Sequence, residues 1–401
     1  MTGAPRQGSL QGLRILDLTQ MLAGPYCTQM LADHGADVIK IEPPGGEPSR
    51  HVGPFHADDE LRAFGGYFAS VNRNKRGIVL DLKEEAGRET FLALVRTADA
   101  VIENYRVGVM ERLSLSYETL REINPRLVYA AIRGFGDSRT GQSPYMAWPA
   151  YDIVAQAMGG IISITGEDAS SPVKVGPGVG DLVPGLMMAF GMVAALRHAE
   201  RTGEGQFLDI GMVDGVLSLC ERIVHQHAFT GRVPKPEGNR HPILSPFGLV
   251  PAKDGRIAIG IADSAIWWRK LCELMERLDL VNDVRTATQE ARIANQDLVY
   301  DTIGGFTARF TKAELSAKFG GVFPFAPVYD AADIARDPHF ASRGMLVEVD
   351  HPGLTMPMRV AGVPVHMTAT PGTVRHRAPL LGEHTQEIVT ELQRSRVTTN
   401  S

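Results

Sequence analysis

Arg14-Ile15-Leu16-Asp17-Leu18, running into Thr19-Gln20-Met21-Leu22-Ala23-Gly24-Pro25, decides how the rest of the chain reads. The first five residues form a short strand. Gly24-Pro25 then opens a helix through Ala32, because proline has no amide to waste in a first helical turn. Gly35 ends that helix, and Asp37-Val38-Ile39-Lys40-Ile41-Glu42 is a second strand. The alternation continues outward. Ile78 to Leu82 is strand-like, Glu84 to Thr97 helical, Ala100 to Asn104 a strand, Ser116 to Ile123 a helix and Leu127 to Ile132 a strand. Apolar strands separated by helices predict an α/β fold with a parallel sheet covered on both faces. Ligands of such sheets bind beyond the carboxyl ends of the strands. Here those ends are Thr19 to Gly24, Glu42 to Gly46, Asn104 to Arg106 and Arg133 to Gly136.

At 401 residues the chain has material for two or three domains. A net charge of −5 argues against a nucleic-acid binder. Cys27, Cys220 and Cys272 are scattered, with no CxxC pair, so neither a disulfide framework nor a zinc site is expected. The expected compartment is the reducing cytoplasm. Met1 to Leu10 lacks the apolar core of a signal peptide. The most apolar run, Leu182 to Leu196, would span only about 22 Å as a helix, against about 30 Å for a bilayer core, so no membrane span is expected.

After Arg201-Thr202-Gly203-Glu204-Gly205-Gln206, a turn, the pattern predicts a long helix from Asp209 to about Phe229. Pro234, Pro236, Gly238 and Pro242 mark a linker. Beyond it, Phe247 to Ile261 reads as a hairpin turning at Asp254-Gly255, followed by helices through about Phe319, a second and smaller domain. Ala378 to Gln393 reads as a turn and a short helix.

Three stretches can carry chemistry. The turn after the first strand lacks the GxGxxG glycines that let backbone approach a pyrophosphate, so a dinucleotide site is not supported. Arg73, Lys75 and Arg76, with Asn72 and Asn74 between them, can hold a phosphate-rich ligand or form a solvated loop. Arg106 and Arg133, at strand ends, are placed to join such a pocket. Asp181 in Gly178-Val179-Gly180-Asp181 begins the apolar helix. It reads as an N-cap, or as a carboxylate kept ionised by the helix dipole and left room by glycines to attack an acyl group. There is no Gly-x-Ser-x-Gly elbow and no HExxH, so no metal is expected, and His241 and His384 read as loop residues.

Together these segments resemble the CaiB/BaiF family, the family III CoA transferases. The similarity rests on Arg14 to Thr19 with Ala23-Gly24-Pro25, Gly35 to Glu42, Asn72 to Arg76 and Val101 to Tyr105. It continues through Tyr151-Asp152 and Ala155-Gln156-Ala157 to Gly159-Gly160, Gly180-Asp181, Arg201 to Gln206 and Ala378 to Thr385. The resemblance implies that Asp181 is the nucleophile, forming an acyl anhydride and then an aspartyl-CoA thioester. It implies that Arg73, Asn74, Lys75 and Arg76 contact CoA phosphates, with Asn104, Tyr105, Arg106 and Arg133 nearby. No permanent cofactor is expected; a CoA thioester and a small carboxylic acid, succinyl-CoA foremost, are the substrates. The implied architecture is a large doubly wound, Rossmann-like domain with a smaller α+β domain, in an interlocked homodimer. On this reading the large domain is 1–205, completed by about 375–401. A linker helix and linker fill 206–240, the small domain 241–330 and a return linker 331–374.

The α-methylacyl-CoA racemases of the same fold are the alternative activity. They place a histidine where this chain has Tyr151, too weak an acid to replace imidazole near neutral pH. A non-catalytic CoA-binding homologue would not need the intact Asp181. The glycine-rich loop of the oxalate-type branch has no counterpart in His241 to Gly248. Arg50 and His51 are candidates for holding a second carboxylate, and Ala23, Tyr151 and Asp152 for the acyl pocket.

Overall fold

The computed structural model describes residues 8–399. The start of the leader reading (Met1 to Gln7) and the last two residues of the 375–401 segment lie outside the described residues. Six parallel strands form one sheet: β1 (Arg14–Asp17), β2 (Asp37–Glu42), β3 (Arg76–Val79), β4 (Ala100–Glu103), β5 (Val128–Arg133) and β6 (Phe207–Gly211). Their spatial order is β3-β2-β1-β4-β5-β6, the doubly wound order, which reverses between β1 and β4. The connections carry α1 (Ala23–Asp33), α2 (Gly66–Val71), α3 (Glu85–Val95), α4 (Val109–Arg112) and α5 (Tyr117–Ile123). Between β5 and β6 lie α6 (Asp152–Met158) and α7 (Val179–Thr202). The strands are mostly apolar because both faces are covered, but Asp17, Lys40, Glu42, Glu103 and Arg133 are buried along them as well. Leu16, Ile39, Ile78, Val101 and Tyr129 pack against Phe91, Leu94 and Leu120 of the helices on one face.

Two expectations are corrected here. The segment read as one helix from Asp209 begins instead as β6, which pairs residue for residue with β5 (Tyr129↔Phe207 to Arg133↔Gly211). Helix follows only as α8 (Met212–Leu219) and, after a break at Cys220, α9 (Glu221–Thr230). Periodicity over so short an apolar run cannot separate strand from helix; the partner strand decides. The apolar helix α7 also exceeds its sequence reading. At 24 residues it is about 36 Å long, enough by length and composition to cross a bilayer. It packs against α1, α6, α8, β5 and β6, with Met188, Met192 and Leu196 buried, which accounts for its composition.

The chain divides into two units. The first holds the six-stranded sheet, Val175–Thr230 and the chain from Pro338 onward, including an antiparallel pair, Leu346–Val349 with Met358–Ala361. The second comprises Ile162–Lys174 and Gly231–Asp337. It is α+β: β7 (Phe247–Ala252), β8 (Gly255–Gly260) and β9 (Phe325–Pro327) form an antiparallel sheet. Its core joins Ile257 and Ile259 to Trp268, Leu271, Val299 and Phe319 from the helices. The hairpin turns at Lys253-Asp254, with Ala252 facing Gly255.

Candidate active site

The switch point between β1 and β4 is closed by two hydrogen bonds. The amide of Gln20 donates to Asn104 Oδ1 at 2.8 Å, and Asn104 Nδ2 donates back to the Gln20 carbonyl at 2.7 Å. Just beyond, α1 starts at Ala23 and lies so close to α7 that a Cβ on Gly185 would sit 2.5 Å from the Ala23 carbonyl oxygen. The N-terminus of α7 therefore meets the carboxyl end of the sheet, the place where this topology binds ligands.

Asp181 is the third residue of α7, and it is not the cap. The N-cap position is Gly178, with no side-chain cap bond. The first-turn amide of Gly180 instead donates to Asp152 Oδ1 at 2.8 Å. Asp152, the first residue of α6, is itself fixed by Gln156 Nε2, which donates to both of its oxygens at 3.0 and 2.9 Å. Gln156 Oε1 accepts the Val175 amide at 2.9 Å, tying the approach to α7 to the same pair. Among the described residues the Asp181 carboxylate accepts no hydrogen bond. Burial, and then the charge of Asp152, push its pKa up to about 7. That corrects the expectation that the helix dipole keeps it ionised: lost solvation and a like charge outweigh a dipole effect of about 0.3–1 kcal/mol. The Tyr67 phenol of α2 sits in the same field, raised to about 12 by burial and by Asp181, Glu47 and Asp152.

The glycines before Asp181 do less to admit substrate than to let the chain pass itself. A Cβ on Gly178 would lie 2.9 Å from Leu22 Cδ2, and one on Gly180 would lie 2.5 Å from the Asp152 carbonyl. Only at Gly176 is the space open within 4 Å. Gly180→Ala is therefore expected to destabilise the protein by about 1–3 kcal/mol, despite alanine's better helix propensity. Thermal unfolding, with the exchange rate read alongside, checks this.

The basic loop is enclosed. Arg73 forks onto Asp33, with Nε at 3.0 Å and Nη2 at 2.7 Å, and also donates to the Ala361 carbonyl. Asn74, at a left-handed φ of 61°, donates to Asp33 and to the Thr373 carbonyl and accepts the amides of Arg375 and His376. Lys75 Nζ donates to Asp17 at 3.0 Å, the Pro25 carbonyl at 3.0 Å and Asn72 at 2.8 Å. Arg76 starts β3 and binds Asp37, Glu387 and Glu391. The sequence shows the cations; their carboxylate partners come from elsewhere in the chain. Two of the three, Arg73 and Lys75, are buried against those partners, and the neutral Asn74 is buried between them.

Arg50 is likewise occupied. It forks onto Glu42 at 2.7 and 2.6 Å, donates to the Pro379 carbonyl and stacks 4.0 Å over Phe68. A buried guanidinium needs such a partner, so the second-carboxylate role read for Arg50 is not available to it. Arg133 is also buried, paired with Glu103 and Asp137. Burial raises Glu103 to about 7, against the pull of Arg133. Tyr105 donates its amide to Glu103 at 2.7 Å, and its phenol is pushed up by burial and by Glu103. Arg106 and His51 are exposed, and among the described residues Arg106 makes no ion pair. Tyr151 is 68 % exposed at the N-cap of α6. Sequence reasoning gave no role to Gln156, Tyr67 or Glu47. The Asp152-to-Gln156 spacing of four on a helix was a legible signal for the first; nothing comparable announced the other two.

The model of CoA-transferase family III matches residues 10–385, and the chain belongs to that family and is a CoA transferase. It is 49 % identical over 385 residues to the succinyl-CoA:mesaconate CoA-transferase of Haloarcula hispanica, covering 96 % of each chain. It is 37 % identical over 400 residues to the succinate–glutarate CoA-transferase of Agrobacterium fabrum, covering 98 % of each. Among solved structures it is similar to a CAIB/BAIF family protein from Brucella suis, with a TM-score of 0.87 and 34 % identity over 96 % of this chain and all of that one.

Proposed function

We propose that this CoA transferase moves CoA from succinyl-CoA to a small branched or unsaturated dicarboxylate of the mesaconate type, through Asp181. The carrying observation is a carboxylate at the switch point that accepts no hydrogen bond among the described residues and stands beside a second, fully engaged carboxylate. The near-half identity to a succinyl-CoA:mesaconate enzyme supports the substrate pair.

In the proposed sequence an Asp181 oxygen attacks the thioester carbonyl, the C–S bond breaks and CoA leaves as thiolate. The thiolate attacks the Asp181 carbonyl carbon, forming aspartyl-CoA and releasing succinate as carboxylate. The acceptor carboxylate attacks that thioester, and the returning thiolate takes the acyl group from the new anhydride. No proton or electron is consumed. Each acylation turns an anionic Asp181 into a neutral group and relieves its repulsion with Asp152, which favours the forward attack. Asn104 and Tyr105 line the CoA approach in this reading, and exposed Arg106 meets a phosphate.

Only ionised Asp181 is nucleophilic. With its pKa at about 7, kcat/KM is expected to fall roughly tenfold per unit below pH 7 and level off above it. Rates from pH 5 to 9 check this; a flat profile down to pH 5 would remove the shifted carboxyl from the mechanism. The substrate proposal is tested by incubating the protein with succinyl-CoA and a panel of free acids, then reading new CoA esters by mass spectrometry. Mesaconyl-CoA is the expected product. Exchange with oxalate or glutarate but not mesaconate would reassign the acceptor.

The assembly proposed is a homodimer. Leu186, Phe190 and Val193 face outward on one side of α7, and Val224 and Phe229 are exposed on α9; Phe190 is 78 % exposed. Such an exposed apolar stripe beside the buried face of α7 suits a second copy of the chain. Cys27 and Cys272, buried and outside any disulfide among the described residues, suit the reducing cytoplasm.

A further inference from the structure

We infer that Glu47 is a positioning residue for the transfer reaction, acting through the left-handed backbone of Met21 in the turn that abuts Asp181's helix. The inference rests on the reading of Asp181 as nucleophile.

Every polar backbone group of Thr19 and Gln20, and the Met21 amide, is held by a side chain from another element or from β1. The Thr19 amide and hydroxyl donate to Asp17 Oδ1 at 2.9 and 2.5 Å. The Thr19 carbonyl accepts from Lys40 Nζ at 2.9 Å, and Gln20 is clasped in both directions by Asn104. Met21 has a φ of 64°, which side-chain-bearing residues rarely adopt, and its amide donates to Glu47 Oε2 at 3.2 Å. Glu47 is buried and bound in turn. It accepts the Ser49 amide at 2.9 Å and the Ser49 hydroxyl at 2.5 Å, its own amide donates to Glu42 Oε2 at 3.0 Å, and Lys40 Nζ stands 3.6 Å away.

The turn so held ends in Leu22, whose Cδ2 fills the space beside Gly178, three residues before Asp181. A left-handed non-glycine residue persists only where its surroundings over-determine it, and such residues gather at functional sites. Here the surroundings are a buried carboxylate and a buried lysine. If the Met21 amide were released, the turn would relax toward negative φ and Leu22 would shift against the segment that presents Asp181. Loss of position at a reacting group lowers kcat more than substrate affinity.

The test uses the full-length protein and steady-state exchange from succinyl-CoA. Glu47→Gln keeps an oxygen acceptor for Met21 and is expected to retain kcat within about threefold. Glu47→Ala is expected to lose about 30-fold in kcat with the KM for succinyl-CoA changed by less than about twofold. Adding Met21→Gly to Glu47→Ala is expected to recover about tenfold, because glycine adopts the left-handed region without a Cβ penalty. A purely structural role would not yield to a glycine 26 residues away in sequence. Should Glu47→Ala not fold, the pair Lys40→Met/Glu47→Leu removes both buried charges together, and the same recovery by Met21→Gly is read there. No recovery in a folded variant, or a Gln variant as poor as the Ala variant, overturns the inference. Asp181→Ala is assayed in parallel: full activity there would overturn the nucleophile reading instead, whatever the Glu47 series shows.

Discussion

Asp181→Ala is expected to fold normally and to exchange CoA at least about 10⁴-fold more slowly than the parent protein, because covalent catalysis has no substitute carboxylate at the site. Asp152 cannot take over: one of its oxygens caps α7 through the Gly180 amide, and both are bound by Gln156. Mass spectrometry of the CoA esters reads the loss. Hydroxylamine added during turnover should mark Asp181 in the parent protein and leave the variant unmarked. A variant that exchanges at a hundredth of the parent rate or faster would place the nucleophile elsewhere.

The same substitution should improve stability above neutrality. The folded pKa of Asp181 is raised above its unfolded value, so its contribution to stability is present in acid and is lost as pH rises from about 4 through about 7. Removing the carboxyl removes that loss. At pH 8 the variant is expected to be more stable by on the order of 2–4 kcal/mol, and at pH 4 nearly unchanged in this respect. Denaturant unfolding at the two pH values measures the difference, and a gain independent of pH would show that ionisation is not its cause.

Lys75→Met is expected to cost about 3–5 kcal/mol of stability, the range for breaking a buried ion pair by removing one partner. Lys75 and Asp17 are fully buried and 3.0 Å apart. Burial alone would raise Asp17, but Lys75, Lys40 and the hydroxyls of Thr19 and Thr28 hold it well below the usual carboxylate range. Without Lys75 an anion is left in the core. The deficit should be largest near pH 7 and shrink in acid, where Asp17 takes a proton. Denaturant unfolding measures this. A lysine that served mainly to bind CoA phosphate would give the opposite pattern: a raised KM for succinyl-CoA and unchanged stability.

The β-α alternation from Arg14 to Ile132, the hairpin from Phe247 to Gly260 (to within one residue of its turn) and the Gly180-Asp181 step are local patterns, and each was legible because hydrophobic period, a turn or a helix start is written in neighbouring residues. β6 was not, since Phe207 to Gly211 becomes a strand only by pairing with Val128 to Arg133, some 80 residues earlier. The partners of the cations were hidden for a related reason. Arg73, Lys75 and Arg50 announce positive charge, but whether that charge faces a ligand or a carboxylate depends on Asp33, Asp17 and Glu42. Sequence alone determined the fold class, the family and the carboxylate at the head of α7, because these follow from patterns within short windows. Tertiary structure alone decided that Asp152 rather than Asp181 caps that helix, that Asp181 titrates near neutrality, and that the basic loop clasps the core. Solvation and Coulomb energies depend on distances in space, which chain order does not specify.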